Sequence, residues 1–421
     1  MLSQEENELL TRVGPGTPMG DTLRRYWIPA LLSWELEADG PPVRTRLLGE
    51  DLVAFRATNG EVGVLDEICP HRATSLWLGR NEGDGLRCVY HGWKFDVSGQ
   101  CVDQMNEPQQ FASKIKMLSY PAVERGGTVW VYMGPVEHQP PPPNFDWTKA
   151  TESQRGVTRI VEECNWLQAL EGGIDTSHAP ILHRALNLDP RQPGIPANDV
   201  FVTGSAPVLE LDETDYGYRY YGIRQLKDDE QYVRGYHYVM PWTQLRPAGR
   251  GVVNQTHGHH WVPIDDHTTL VWNFYYTYEG DLPDITRDPQ SSGNSFNTDI
   301  DVANGFRAVR NRSNDWMIDR AAQKTETFSG IQGVNVQDRA VQELMGPIVD
   351  RTKEHLGPAD KAIITTRKLL ATAVRTVAGG GDPPGLTDNY YDLRAEEGVL
   401  PADADWRQAL LPAMDPALSG N

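Results

Sequence analysis

Two cysteines and two histidines form the first chemically distinctive pattern in this 421-residue sequence. One residue separates Cys69 from His71, sixteen residues separate His71 from Cys88, and two residues separate Cys88 from His91. Two thiolates and two imidazoles on short loops are able to enclose a metal centre. Zinc accepts four such ligands, and so does a two-iron cluster in which two histidines replace two cysteines on one iron. The single residue between Cys69 and His71 disfavours zinc, because zinc-binding pairs usually have two to four intervening residues.

The two loops resemble those of the Rieske iron–sulfur domain. The resemblance is carried by the segments C-P-H-R and C-V-Y-H-G-W, which begin at Cys69 and Cys88. It implies a [2Fe-2S] cluster in which Cys69 and Cys88 hold one iron, while His71 and His91 hold the other.

The loops also indicate which kind of Rieske centre to expect. The respiratory type has an additional pair of cysteines that forms a disulfide, and the corresponding positions here are Thr74 and Tyr90. A serine that donates a hydrogen bond to the cluster corresponds to Trp93. Fewer hydrogen bonds to sulfur lower the reduction potential, so we expect an electron donor to a second iron. The other cysteines, Cys101 and Cys164, have no partner pattern and are interpreted as packed thiols.

A second pattern, D-x2-H-x4-H, is formed by Asp175, His178 and His183. The segment from Asn165 to His178 is predicted to be a helix, on which Asp175 and His178 would share a face, whereas His178 and His183 would not. We expect Pro180 to distort the chain so that the two imidazoles converge. Two histidines and one carboxylate on one face of an iron are typical of non-heme iron oxygenases. Taken alone, two histidines near an aspartate more often form a hydrogen-bonded surface cluster than a metal site. The Rieske-like domain that precedes this segment favours the iron site instead.

The carboxylate must come from elsewhere in the chain. The segments Q-D, G-P-I-V-D-R-T and E-H-L between residues 337 and 356 closely resemble the phthalate-dioxygenase-like group of Rieske oxygenases. This resemblance covers nearly the whole chain and implies that Asp338 is the third iron ligand, with Asp350 and Glu343 as alternatives. Asp175 would instead hydrogen-bond a ligand histidine from behind.

The family match implies the oxygenase (alpha) component of a multicomponent system. Its cofactors would be one Rieske [2Fe-2S] cluster and one mononuclear non-heme Fe(II) per subunit. It also implies a homotrimer or hexamer, in which His91 of one subunit approaches His178 or His183 of the next, with Asp175 as the bridge for electron transfer. The sequence lacks a nicotinamide-binding G-x-G-x-x-G, a flavin motif and a further cysteine set. We therefore expect a separate NAD(P)H-dependent reductase that contains flavin and iron–sulfur centres.

Hydrophobic spacing predicts the elements that position these residues. Short β-rich runs separated by turn residues occupy residues 27–134, and longer strands followed by helical spacing occupy the remainder. This pattern predicts an α+β chain, and the resemblance implies an N-terminal all-β Rieske domain and a helix-grip (START-like) antiparallel-sheet catalytic domain. The predicted divisions are an N-terminal helical extension over residues 1–26, the Rieske domain over 27–139, a proline-rich linker over 140–155 and the mononuclear iron domain over 156–421.

Substrate binding is predicted from the long strands between residues 216 and 278. The candidates are Arg219, Arg224, Arg234, His237, Tyr238, Met240, Arg246, Asn254, His257, His259, Trp261, Trp272 and Phe274. A carboxylate-bearing aromatic substrate needs an arginine fork in an apolar pocket. A chain with a net charge of −19 must concentrate positive charge locally to bind such an anion. The preferred residues are therefore Arg224, Arg234, Arg246 and His257.

Composition excludes several other classes of protein. The acidic balance argues against nucleic-acid binding, no apolar run is long enough to span a membrane, and the N-terminus does not resemble a signal peptide. Four cysteines in 421 residues favour a reducing cytoplasm.

The predicted reaction is cis-dihydroxylation of a phthalate-like aromatic acid. The alternatives are O-demethylation or monooxygenation of an aryl ether acid, a Rieske electron carrier without oxygenase activity, and a zinc-stabilised binding protein.

Overall fold

The computed structural model describes residues 1–187, 206–226, 229–248, 255–291, 299–386 and 392–418. The chain divides into two compact units, of which the smaller is Val13–Pro143 and the larger combines Met1–Arg12 with Asn144–Asn421. Helix α1, Gln4–Thr11, therefore belongs to the larger unit. The divisions after residues 26, 139 and 155 stay predictions.

The smaller unit contains helix α2, Pro18–Leu23, and three antiparallel sheets with the strand orders β1-β10-β9, β2-β3-β4 and β5-β6-β7-β8. The strands are β1 Trp27–Leu32, β2 Val43–Leu47, β3 Glu50–Arg56, β4 Val62–Asp66, β5 Arg80–Glu82, β6 Gly85–Arg87, β7 Trp93–Asp96, β8 Cys101–Gln104, β9 Ala122–Arg125 and β10 Thr128–Tyr132. Cys69 and Cys88 are buried in the same apolar core as Leu76, Leu86 and Phe95. The cysteine loops are thus anchored in the core.

The larger unit is built on one sheet, whose described strands run in the order β12-β13-β14-β15-β16-β17-β11-β19-β18, with β20 paired to β14. These strands are β11 Arg155–Glu162, β12 Val208–Glu213, β13 Gly217–Gln225, β14 Glu230–Val239, β15 Thr243–Pro247, β16 Thr256–Pro263, β17 Thr269–Tyr276, β18 Ile300–Asp301, β19 Arg307–Ala308 and β20 Glu396–Pro401. Their pairing is antiparallel except between β11 and β19. Strands β16 and β17 are buried along their whole length, so both faces of the sheet are covered there.

Helices of the larger unit pack against this sheet and against one another. After α1, the described helices are α3 Asp146–Lys149, α4 Trp166–Ile174, α5 Ala179–Leu182, α6 Asp284–Arg287, α7 Ala322–Thr325, α8 Val334–Leu344, α9 Lys361–Ala378 and α10 Trp406–Met414. The side chain of Asn165 caps α4 by accepting from the backbone N–H of Leu167 at 3.1 Å. An all-β N-terminal region followed by an antiparallel sheet with helices confirms the predicted α+β class.

The prediction that one helix carries both Asp175 and His178 is wrong. Helix α4 ends at Ile174, and Asp175 has extended backbone angles of φ −70° and ψ 119°. Two glycines immediately before Ile174 weaken the end of the helix, since glycine loses more backbone entropy there than other residues. Pro180 does not kink a helix but lies in the first turn of α5, where its fixed φ and missing N–H are favourable.

Candidate active site and cluster site

Three potential metal ligands lie together beside α5 and α8. Nε2 of His178 lies 3.3 Å from Nε2 of His183, and Oδ1 of Asp338 lies 3.3 Å from each of these atoms. The three donor atoms form a nearly equilateral triangle. A single ion with bonds of about 2.0–2.2 Å reaches all three at once. The chain thus brings together the two histidines and the carboxylate that the sequence predicts to act jointly.

Hydrogen bonds to the Nδ1 atoms orient both imidazoles. Oδ2 of Asp175 lies 3.2 Å from Nδ1 of His178, and Oε1 of Gln337 lies 2.6 Å from Nδ1 of His183. An acceptor at Nδ1 keeps the ring proton there and leaves Nε2 free for a metal. Asp175 is itself held by the backbone N–H of Ser177 at 2.7 Å and by its hydroxyl at 2.6 Å. The contact of Gln337 with His183 was not predicted. Its position next to Asp338 in the sequence could have indicated that Gln337 lies near the same site.

The charges of this triad suit a cation. Burial lowers the pKa of His178, but hydrogen bonds with Asp175 and Asp338 outweigh burial and raise that pKa to about 10. Burial raises the pKa of Asp338, but the two imidazoles hold it well below its usual range. The two ionised carboxylates, Asp175 and Asp338, carry two negative charges, which a divalent cation beside two neutral imidazoles would compensate in full.

The alternative carboxylates do not lie in this triad. Asp350 caps a short helical turn by accepting from the backbone N–H of Thr352 at 3.1 Å. Glu343 accepts from the backbone N–H of Glu163 at 3.1 Å and from Nε1 of Trp316 at 3.0 Å. Both side chains are therefore engaged elsewhere.

The two cysteine loops of the smaller unit share one backbone hydrogen-bond pattern. The N–H of Cys69 donates to the carbonyl of Thr74 at 2.9 Å, and the N–H of Cys88 donates to the carbonyl of Trp93 at 2.8 Å. Each cysteine carbonyl accepts, at 3.0 Å, from the residue four positions later, which in both loops has a positive φ. The sequence thus folds into two equivalent tight loops, each with one cysteine and one histidine.

The side chains of these loops fit a cluster with two sulfur and two nitrogen ligands. Cys69 and Cys88 are buried free thiols, and the ring centroids of His71 and His91 are 4.4 Å apart. Burial raises the pKa of the Cys69 thiol to about 12, although N–H groups of His71 and Arg72 donate to its sulfur and oppose the shift. Nδ1 of His91 is buried and has no hydrogen-bond partner in the described part of the chain. A metal bond would satisfy this nitrogen and stabilise the thiolates.

A cavity of about 280 Å³ adjoins the triad, whose three residues are part of its lining. The predicted substrate-binding residues that also line it are Arg234, Arg246, His257, His259 and Trp261. The described lining does not include Arg219, Arg224, His237, Tyr238, Met240, Trp272 or Phe274, and Asn254 lies outside the described residues. Arg224 is buried behind the lining residue Thr176, whose carbonyl accepts from its Nη2 at 2.7 Å. Strand alternation alone could not distinguish Arg224 from Arg234 and Arg246, which do line the cavity.

Sequence reasoning missed several polar residues that line the cavity. They are Glu162, Thr176, Gln244, Asn273, Asn335, Arg339 and Gln342. Gln342 follows Asp338 by four residues on α8, so helical periodicity was a usable signal for it. The other residues come from segments whose approach to the cavity depends on the tertiary fold.

Close packing of α4 forms one wall of this cavity. A Cβ added at Gly173 would lie 1.9 Å from Cζ2 of Trp261, and one added at Gly172 would lie 2.1 Å from Nε2 of Gln342. Glycine is therefore needed at position 173 for α4 to approach the indole on β16 this closely, whereas at position 172 the flexible amide of Gln342 could move aside.

Comparison with known proteins now identifies the family. The Rieske [2Fe-2S] domain model matches residues 26–119, and the "LigXa C-terminal domain like" model matches residues 131–415. The chain is 39% identical to the 3-chlorobenzoate-3,4-dioxygenase oxygenase subunit of Comamonas testosteroni, over 97% of this chain and 98% of the relative. It is also 39% identical to the phthalate 4,5-dioxygenase oxygenase subunit of Pseudomonas putida, over 97% and 94% of the two chains. The solved structure of Pseudomonas putida CBB5 NdmA with caffeine has the same fold, with a TM-score of 0.62 at 21% identity over 87% of this chain and 94% of that chain.

The chain belongs to the Rieske non-heme iron aromatic ring-hydroxylating oxygenases, in their phthalate-dioxygenase-like group, and is the oxygenase component. It is an oxidoreductase whose cofactors are one Rieske [2Fe-2S] cluster and one mononuclear non-heme iron. The donor sets of the two sites fit these groups, since one offers two thiolates with two imidazoles and the other offers two imidazoles with a carboxylate. Among the described residues, no helix is long and apolar enough to cross a membrane.

Proposed function

We propose that this oxygenase component hydroxylates a single-ring aromatic acid, by phthalate-like cis-dihydroxylation, with the substrate carboxylate bound to Arg246. The observation that carries the proposal is the guanidinium of Arg246, which lines the cavity beside the triad and whose buried Nε and Nη2 have no hydrogen-bond partner among the described residues. A buried cation without a partner is costly, and a bidentate carboxylate would satisfy it. A cavity of about 150 Å³ holds one benzene ring, so about 280 Å³ suits one ring with its substituents.

Arg246 is a better anion site than the neighbouring Arg234. Nε of Arg234 lies 3.0 Å from Oε2 of Glu397, and its Nη2 donates to the carbonyl of Pro247 at 2.8 Å. Its charge is thus compensated within the protein. Burial lowers the pKa of Arg246, but a guanidinium remains protonated, and its charge is left for a ligand.

The histidines of the cavity would contribute polarity rather than charge. Burial, followed by the charge of Arg246, lowers the pKa values of His257 and His259 well below the ordinary value. Both imidazoles are therefore neutral at physiological pH and can donate or accept one hydrogen bond each. Ile160, Val271 and Trp261 add apolar surface against which an aromatic ring can pack.

The metal ligands are proposed on the same geometry. We assign His178, His183 and Asp338 to the mononuclear iron, which supplies dioxygen activation when bound. For the cluster we assign Cys69 and Cys88 to one iron and His71 and His91 to the other. The triangle of donor atoms at 3.3 Å and the paired cysteine loops support these assignments.

Partners follow from the chemistry of the proposed reaction. Hydroxylation with O2 consumes electrons, and a separate NAD(P)H-dependent reductase with flavin and iron–sulfur centres would deliver them to the cluster. We propose a homotrimer or hexamer in the cytoplasm, in which Asp175 bridges the iron site of one subunit and the cluster of the next. Both relatives are dioxygenase subunits named for aromatic acids, 3-chlorobenzoate and phthalate, which supports the proposed substrate class.

A turnover assay tests the proposed reaction. The protein is combined with a generic flavin and iron–sulfur reductase and NADH, and phthalates, chlorobenzoates and methoxylated benzoates are offered in turn. We expect cis-dihydrodiols from an aromatic acid and no product from the corresponding amide. Formaldehyde from a methoxylated acid would establish O-demethylation instead, and turnover of uncharged rings alone would contradict the role of Arg246.

Replacing Arg246 by glutamine is expected to raise KM for the acid by about 10- to 100-fold, since a hydrogen bond to a charged group contributes about 1.5–3 kcal/mol. Steady-state kinetics with the acid and its amide would measure this change. The variant should lose its preference for the acid. Arg407→Gln, which removes a half-exposed arginine paired with Asp212, should leave KM unchanged. An equal KM in Arg246→Gln and in the parent enzyme would contradict the assignment.

Replacing Asp175 by alanine is expected to leave both metals in place and to abolish coupled turnover, since the carboxylate both orients His178 and would connect the two redox sites. Iron content and the spectrum of the reduced cluster report the metals, and stopped-flow oxidation of the cluster reports electron transfer. Asp405→Ala removes an exposed helix-capping carboxylate and should behave as the parent enzyme. A fully active Asp175→Ala enzyme would rule out the bridging role.

A further inference from the structure

A carboxyl group with no assigned role lies in the cavity beside the iron triad. Glu162 is the last residue of β11 and is 1% exposed. Its Oε1 accepts from the thiol of Cys164 at 3.3 Å. Among the described residues, no arginine, lysine or histidine forms an ion pair with it within 4.0 Å. An ionised carboxylate would be costly in such surroundings unless it were paired.

Strand alternation places this carboxyl between two cavities. Ile160 and Glu162 line the cavity of the iron triad, whereas Val161 and Glu163 line a second pocket of about 550 Å³. Side chains at alternate positions point to opposite faces of a strand, so β11 forms part of the wall between the two spaces. The second pocket is open to solvent, because its lining includes exposed residues such as Asn304 and Arg307.

Glu343 connects this wall to α8. It lines the second pocket, and both of its carboxylate oxygens accept N–H groups, one from the backbone of Glu163 and one from the indole of Trp316. Its charge is also the strongest that Glu162 experiences. Thus one carboxyl group, that of Glu343, lines the solvent-open pocket, and a second, that of Glu162, lines the cavity of the iron triad.

The surroundings of Glu162 favour its protonated form. Burial, followed by the charge of Glu343, raises its pKa to about 8. The other groups that act on it are Arg339 and Asp338 of α8, with opposing signs, and the Cys164 thiol. With a pKa of about 8, the Glu162 carboxyl is mostly protonated at neutral pH, and Oε2 is the oxygen left to carry the proton when Oε1 accepts from the thiol.

We propose that Glu162 is the proton donor of the oxygenase cavity and that it is reprotonated from the second pocket through Glu343. The inference rests on the proposed function, because hydroxylation of a ring by O2 to a cis-diol consumes two electrons and two protons. The reductase supplies the electrons. The O–H bond of Glu162 breaks, an O–H bond forms on oxygen derived from O2, and the resulting carboxylate takes up a solvent proton before it donates again.

The test is Glu162→Gln, which keeps the size of the side chain and removes its acidic proton. Iron content, the spectrum of the reduced cluster and substrate binding should be unchanged. We expect kcat to fall by about 100-fold or more, with less product per NADH consumed. Glu213→Gln, at the exposed end of β12, should match the parent enzyme, and Glu162→Asp should restore part of the rate. Unchanged coupling and an unchanged pH profile in Glu162→Gln would overturn the proposal.

An infrared difference measurement gives a readout that requires neither substrate nor turnover. The parent protein should show the C=O band of a protonated carboxylic acid, which shifts in D2O and titrates near pH 8. The band should be absent in Glu162→Gln, and its persistence there would overturn the proposal even if that variant bound less iron. Glu343→Gln should keep the yield of a single turnover but slow repeated turnover. Failure of the aromatic-acid assignment would instead appear as a different substrate in the turnover panel, with the infrared band intact.

Discussion

Asp338→Ala is expected to lose the mononuclear iron and all product formation while it keeps the [2Fe-2S] cluster. Oδ1 of Asp338 is 3.3 Å from both ligand nitrogens, so its removal leaves two neutral imidazoles and no anionic donor at that position. Neither of the alternative carboxylates can substitute for it. Asp350 caps a turn, and Glu343 is held by Glu163 and Trp316.

Metal analysis combined with the electron paramagnetic spectrum of the reduced protein separates the two iron populations. We expect the cluster signal of Asp338→Ala to equal that of the parent enzyme, with total iron reduced by the mononuclear fraction. Asp350→Ala is the matched control, because it removes a carboxylate from the same stretch of chain and should retain both the iron and the activity. A full complement of iron in Asp338→Ala would show that the third ligand lies elsewhere.

Arg351→Ala is expected to destabilise the larger unit by about 3–5 kcal/mol, the usual cost of removing one member of a buried ion pair. Arg351 is fully buried. Its Nη2 donates to Oε2 of Glu171 at 2.8 Å, and its Nη1 donates to Oδ1 of Asn7 at 2.9 Å. The substitution leaves these buried acceptors partly unsatisfied, although Arg367 still donates to Glu171 at 2.6 Å. The effect reaches the active site because Glu171 belongs to α4, whose end precedes Asp175.

Chemical denaturation followed by tryptophan fluorescence measures this loss of stability. Lys353→Ala is the control, because Lys353 is 81% exposed and pairs with Asp350 at 2.9 Å, so its removal should change stability by less than about 1 kcal/mol. Equal stability of the two variants would contradict a stabilising role for the buried network.

The same network predicts a dependence of stability on pH. Burial raises the pKa of Glu171, but Arg351 and Arg367 outweigh burial and lower it from the ordinary value of 4.5. A group whose folded-state pKa is lowered stabilises the fold above its unfolded pKa, and this stability is lost as the pH falls through the folded value. In Arg351→Ala the folded-state pKa of Glu171 loses one of the two charges that lower it, so the part of the stability that acidification removes through Glu171 should be smaller than in the parent protein. Denaturant titrations of both proteins at a series of pH values around and below 4.5 would measure this difference.

The types and local spacing of the proposed ligands follow from the sequence. Cys69 and His71, like Cys88 and His91, lie on single tight loops, and the fold only has to bring the two loops together. Asp338 is far from His183 along the chain, and its assignment came from resemblance to a family rather than from spacing. The division into β-rich and mixed regions followed from hydrophobic periodicity, which is a local property of the chain.

Other features could not be predicted, because they depend on contacts between distant segments. Arg224 and Arg246 have the same chemistry and similar strand contexts, yet Arg224 is buried behind Thr176 while Arg246 lines the cavity. The convergence of Asp175 and His178 was predicted on a continuous helix, but it arises from a helix end followed by a second helix. Sequence spacing alone cannot determine where such a helix ends against its neighbours.

The sequence by itself therefore determined which atoms are available as metal ligands and which of them lie within one loop or turn. Only the tertiary structure decided the state of the groups around them. Among the described residues, Nε and Nη2 of Arg246 have no hydrogen-bond partner, and burial raises the pKa of Glu162 to about 8, because strands and helices from distant parts of the chain enclose these groups. Charge state follows from desolvation and neighbouring charges, and these are properties of the folded packing rather than of residue order.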